Sequence, residues 1–175
     1  MNDSKQDIEN IDISYASEIQ IVEFISRKKL DLGRLVNDVL LANGYRTQVS
    51  PFGNDGSVDL LADGGIGPLG FALPRIAVLV KPDTELADPD LAELECFLAL
   101  SGAANGLFVS WTGFTDTAKT EAHRLFHQAK FWDVSQVIQM LKASYENLSV
   151  SLRSDLPLKP VWSIDKSFVD NVVRS

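Results

Sequence analysis

The sequence predicts an α/β domain built on a mixed sheet with helices on both faces. Three observations carry that reading. Strand-like and helix-like segments alternate along the chain, and two of the strands, IAVLVK and NGLFVSW, are apolar enough on successive residues to be covered on both sides. A length of 175 residues with 45% hydrophobic content is also enough to bury one core.

The elements follow in order. The opening MNDSKQDIENID is acidic and polar and predicts a frayed end. Ile19, Val22, Phe24 and Ile25 then suggest a helix. A clearer one lies in DLGRLVNDVLLANGY, where Leu32, Leu35, Val36, Val39 and Leu40 form one stripe and Asn43-Gly44 is the stop. SVDLLAD and PRIAVLVK read as strands, short β-branched runs bounded by glycine and proline. Between them, GIGPLG has the letters of a dinucleotide-binding loop, but a strand rather than a helix follows, so its glycines predict a turn. Asp88 and Pro89 open a helix through LAELECFLALSGA, with Asp as cap and Pro in the first turn. Cys96 on that helix reads as a buried thiol. After NGLFVSW, Thr115 or Asp116 caps TAKTEAHRLFHQAK, Phe131-Trp132 is a brief extended piece, and Asp133 caps SQVIQMLKASYENL. Trp111, Trp132 and Trp162 each close an apolar segment and read as packing residues.

Composition narrows the function. No apolar run reaches the roughly 18 residues of a membrane helix, so no membrane association is expected, and the acidic start lacks the pattern of an export signal, so a cytoplasmic location is expected. One cysteine allows neither an internal disulfide nor a cysteine-built zinc site. A net charge of -8 argues against non-specific nucleic-acid binding. Residues 46 to 100 carry only Arg46, Arg75 and Lys81 against a large acidic excess, whereas 119 to 159 are net basic. A DNA-facing surface is therefore expected to use Lys119, Arg124 and Lys130, with Lys142, Arg153, Lys159, Arg27, Lys28, Lys29 and Arg34 as further candidates. Any single one reads equally well as a solvating charge. His123 and His127 are four apart on a helix, but no third metal ligand is near them, so an exposed pair is the favoured reading.

The chemistry points to two residues at strand ends. Asp59 interrupts SVDLLA and Lys81 ends IAVLVK, where charges are rare unless paired or functional. On neighbouring strands, a carboxylate to hold a hard cation and a lysine to orient or deprotonate water would suit a Mg²⁺-dependent phosphodiesterase, and an Asp59–Lys81 ion pair is the alternative.

The stretches LVNDVLLANGY, NDGSVDLLADGGIGPLGFALPRIAVLVK and PDLAELECFLALSGAANGLFVSWTGF, closed by KFWDVSQVIQMLKASYENL and DLPLKPVW, resemble the Mrr-type restriction endonuclease domain of the PD-(D/E)xK superfamily. The resemblance spans residues 31–164. It implies a restriction-endonuclease-like three-layer α/β/α fold with a central mixed sheet, an N-terminal extension over 1–30 that is partly helical, and a tail over 165–175 able to form a short helix. Asp59 matches the family's metal-binding aspartate and Lys81 the lysine of its Q-x-K or E-x-K element, with the Val80 carbonyl as a further ligand. The polar residue before the lysine falls on Leu79 and the glutamate of the preceding helix on Gly33, so both are absent. Asp55, Asp63, Asp83 and Glu85 are the candidate replacements. Two readings follow. One is a Mg²⁺-dependent DNA endonuclease of a restriction or defence system, and the other is a catalytically silent module that binds DNA or a partner protein, with a homodimer also compatible.

Overall fold

The computed structural model describes residues 13–49, 58–66, 72–83, 85, 87–124 and 127–159, with the side chains of 13–17, 58–59, 88–89 and 121–124 outside the description. The chain runs through α1 (Ile13–Lys28), α2 (Leu32–Ala42), β1 (Tyr45–Val49), β2 (Val58–Gly64), β3 (Ile76–Lys81), α3 (Asp88–Ser101), β4 (Asn105–Ser110), α4 (Asp116–Arg124), β5 (Ala129–Trp132), α5 (Val134–Ser144), a 3₁₀ turn and α6 (Val150–Asp155). The sheet order is β1-β2-β3-β4-β5, antiparallel across the first three strands and parallel from β3 to β5. Antiparallel neighbours need only short turns, whereas each parallel step needs a crossover, which α3 and α4 supply.

Alternation along the strands divides the core in two. Leu60, Ala62, Val78, Val80, Leu107 and Val109 face α1, α2, α5 and α6. Ala77, Leu79, Phe108 and Ala129 face the other way, against Leu91, Leu94 and Phe97 of α3 and Ala118 of α4. The result is the expected three-layer arrangement with a mixed sheet at its centre. Asp31 and Asp133 cap α2 and α5 by accepting from Arg34 N and Gln136 N, as helix N-termini require. At the β2–β3 turn, Gly64 permits a close approach: a Cβ built there would lie 1.7 Å from the Leu73 carbonyl oxygen.

Several sequence expectations change. β1 was not expected, because YRTQV is an edge strand with Arg46, Gln48 and Val49 exposed and lacks the apolar run that marks a buried one. The cap of α3 is Ala87 rather than Asp88; its methyl group can accept no hydrogen bond, and Asp90 compensates by accepting from Ala87 N at 2.7 Å. The helix expected to continue through Ala129 and Lys130 ends earlier, since those residues pair with β4 as strand β5. Cys96 is exposed rather than buried: Leu91, Leu94 and Phe97 hold the inward stripe of α3, and Cys96 falls outside it. Trp111 and Trp132 pack against the α2-side core, while Trp162 and the 165–175 tail lie outside the described residues. Ile21 and Ile25 of α1, from the stretch expected as an extension, belong to that same core. No described helix is long and apolar enough to cross a membrane.

Candidate functional site

Lys81 is the last residue of the central strand β3, and strand alternation sends it to the same sheet face as Ala77 and Leu79, under α3. It is only 7% exposed. A buried ammonium needs charged or polar partners, and α3 provides them: Lys81 Nζ lies 3.2 Å from Asp90 Oδ1 and 3.7 Å from Glu93 Oε2. Asp90 and Glu93 are one turn apart, so both reach the same point below the helix. Asp90 uses its two oxygens separately, Oδ2 on the Ala87 amide and Oδ1 on Lys81, which ties the ammonium to the N-terminus of α3. The Lys81 carbonyl accepts from Trp111 N at 3.3 Å. On the neighbouring parallel strand, Ser110 pairs in register with Lys81, is fully buried, and accepts from Gly113 N at 3.1 Å.

Asp59 is opposite Leu79 in the β2–β3 ladder, so the backbone brings its position to the same end of the sheet as Lys81; its side chain lies outside the described residues. Val80 pairs with Val58 on one side and Val109 on the other. Leu79 is 1% exposed and packed into the α3-side core. Gly33 is buried in the first turn of α2, in the opposite helix layer from Lys81.

Among the described residues, the candidate replacement carboxylates Asp63, Asp83 and Glu85 have no ion pair to Lys81 of the kind that Asp90 and Glu93 make. Asp63 lies at the far end of β2 and pairs with Arg75. Asp83 and Glu85 are exposed beyond the end of β3, and Asp55 lies outside the described residues. Asp90 and Glu93, which do reach Lys81, are not among the sequence candidates. Their signal was the i, i+3 spacing at the start of a helix that must cross over from β3 to β4, which sets its first turn above the end of β3. Among the described residues no group of three or more His, Cys, Asp and Glu side chains is disposed to hold a metal. His127 is exposed, and the His123 side chain lies outside the described residues. Burial raises the phenol of Tyr45, on the α2 side of β1, above its usual value of 10.0.

Residues 25–141 match the family model of restriction endonucleases called Mrr_cat. The chain belongs to the Mrr_cat restriction endonuclease family. Among solved structures, this Mrr_cat domain is similar to the DNA modification-dependent restriction endonuclease AspBHI, with a TM-score of 0.57 at 13% identity over 90% of this chain and 40% of that one. MspJI restriction endonuclease in complex with a 27-mer oligonucleotide gives a TM-score of 0.47 at 16% identity over 90% of this chain and 39% of that one. A protein of unknown function, AF1548, gives 0.46 at 16% identity over 81% and 75% of the two chains. The Mrr_cat domain thus spans well under half the length of the two restriction enzymes. A comparison with curated proteins gives no match.

Among the described residues of this Mrr_cat domain, Lys119 and Lys130, two of the basic residues expected to face DNA, belong to opposite sides of the sheet. Lys119 is exposed on α4, in the α3 layer, and pairs with Asp116 at 3.2 Å. Lys130 sits opposite Leu107 in the β4–β5 ladder, and so belongs to the other sheet face. The Arg124 side chain lies outside the described residues. Other candidates are engaged elsewhere: Arg27 with Glu23, Arg34 with Asp155, Lys142 with Glu18, Arg153 with Glu146, and Lys28 over the Phe24 ring.

Proposed function

We propose that the domain is a DNA-directed nuclease module of a restriction or defence system, acting on phosphodiester bonds at the shared end of β2 and β3. The observation that carries this reading is Lys81, a 7% exposed ammonium at the end of the central strand, held by two carboxylates beside the register position of Asp59. The donor set suits a hard divalent cation. Asp90 and Glu93 against Lys81 leave one excess negative charge, and Asp59 adds another, so one Mg²⁺ would balance the group. Asp59, the Val80 carbonyl and an α3 carboxylate would hold it. When bound, Mg²⁺ would polarise the phosphate and lower the charge that repels an attacking water. Lys81 is fixed by Asp90 so that its ammonium stays at one place, where it orients that water and offsets charge developing on the phosphate oxygens.

One observation favours the second reading, a silent DNA-binding or partner-binding module. Leu79 fills the face between Asp59 and Lys81 with an apolar side chain at 1% exposure, so the strand itself offers one oxygen ligand fewer. Cutting both strands of a duplex would need two such sites, which in the active form would come from a homodimer or a partner protein. A cytoplasmic location with access to DNA belongs to the same proposal.

Cleavage of plasmid and linear DNA with Mg²⁺ or Mn²⁺ tests the reading. Lys81→Ala is expected to lower cleavage by at least about 100-fold while leaving DNA affinity within roughly two-fold, because its role is in the chemistry. Cleavage that survives Lys81→Ala would overturn the mechanism. DNA binding without cleavage by the wild type, together with no calorimetric heat from Mg²⁺, would establish the silent module.

A further inference from the structure

Among the described residues, the α3-side face of the sheet is only partly roofed. α3 packs over β3 and β4, and α4 over β5. Toward β1 the same face carries exposed polar residues instead. Arg46 pairs in register with Asp63, and Gln48 with Leu61, on the face that also carries the positions of Asp59, Leu79 and Lys81. Arg46, Thr47, Gln48, Asp63, Gly64 and Arg75 line a groove of about 480 Å³ there.

Charge sets this groove apart from the rest of the surface. Asp63 holds Arg75 through its Nε, and Arg75 also donates from NH1 to the Ser101 carbonyl at 3.1 Å, so its guanidinium is fixed in direction. Arg46 is exposed and makes no ion pair or hydrogen bond through its side chain among the described residues. Two guanidiniums against one carboxylate leave the groove with one excess positive charge in a protein whose net charge is -8. Most other described arginines and lysines are committed to acidic partners.

We propose that this uncovered part of the sheet face, centred on Arg46 with Gln48 and Arg75 beside it, is a docking site for a backbone phosphate of the DNA. The proposal rests on the reading of the domain as DNA-directed, and adds where the duplex is held. From Asp59 to Asp63 along β2 is about 13 Å at roughly 3.3 Å per residue. At 3.4 Å of rise per base pair that is about four base pairs, less than half a turn. A phosphate on Arg46 and a bond at the Lys81 end can therefore lie on one side of the same duplex. The exposed guanidinium supplies a forked donor for the phosphate oxygens, and the Gln48 amide a neutral donor beside it.

The test is fluorescence anisotropy of a labelled duplex with the full chain in EDTA, between about 50 and 200 mM salt. Arg46→Ala is expected to weaken binding roughly 3- to 10-fold and to flatten the slope of log affinity against log salt by about one. Arg46→Lys should recover the slope, and Gln48→Glu should weaken binding through charge alone. Gln139→Ala, exposed on α5 in the opposite helix layer, should leave both unchanged. Wild-type binding matched by Arg46→Ala in affinity and slope would overturn the docking site while leaving the DNA-directed reading in place. A wild type with no salt-sensitive DNA affinity would overturn both. Arg46 is exposed, so loss of folding is not expected, and an unchanged thermal midpoint checks that.

Discussion

Asp90 and Glu93 help Lys81 remain charged under α3, since burying an ammonium without charged or polar partners would cost several kcal/mol. Asp90 also caps the helix, so one side chain serves local structure and site geometry together. Asp90→Ala removes the cap and one carboxylate of the ionic clamp, and is expected to destabilise the fold by roughly 2 to 4 kcal/mol in urea unfolding. Asp90→Asn retains an acceptor for the Ala87 amide but loses the charge, so it is expected to cost less than Asp90→Ala, and a loss below about 0.5 kcal/mol for Asp90→Asn would show that the clamp contributes nothing. Leu79 presents the opposite case. Its side chain fills the α3-side core, so Leu79→Gln places an amide among Leu91, Leu94 and Phe108 and is expected to lower stability by roughly 2 to 4 kcal/mol. A stability loss below about 0.5 kcal/mol would show that the position tolerates a polar group. Asp59 and Lys81 were legible in the sequence as charges interrupting apolar strands. Asp90 and Glu93 were not, because an acidic first turn is what any capped helix shows.

At the scale of elements, legibility followed burial. β3 and β4 stood out because both faces are covered and nearly every residue is apolar. β1 was missed because an exposed edge strand needs only alternate residues for packing, here Tyr45 and Thr47 toward α2. The start of β5 was taken as the end of a helix, since Ala129-Lys130 is locally as good a helix as a strand and only pairing with Gly106 and Leu107 decides it. Thr115 caps α4 with its hydroxyl accepting from Ala118 N at 3.2 Å, one of the two residues expected for that role. Gly106 at the start of β4 lies close beneath α3, where a Cβ would be 2.5 Å from Leu94 Cδ2. That contact helps set the helix that carries Asp90 and Glu93 against the sheet.

At the scale of the whole molecule, α1 is part of the packed layer, since Ile21 and Ile25 join α2 and α5 in one core. Removing residues 1–30 is therefore expected to cost at least about 3 kcal/mol, from roughly 1.5 to 3 kcal/mol for each buried isoleucine. A truncated chain with an unchanged urea midpoint would show that the domain folds from residue 31 onward. The sequence by itself determined the fold class, the capped helices and the two charged strand positions, because caps, apolar periodicity and a charge within an apolar run are local signals. The tertiary structure alone decided which groups meet. The ladder register put Asp63 at the far end from Lys81, the crossover packing of α3 brought Asp90 and Glu93 to it, and the pairing of β1 set Arg46 on the same face. Each of those depends on strand pairing or helix packing rather than on local pattern: even Asp90, nine residues after Lys81, meets it only because α3 folds back over the sheet.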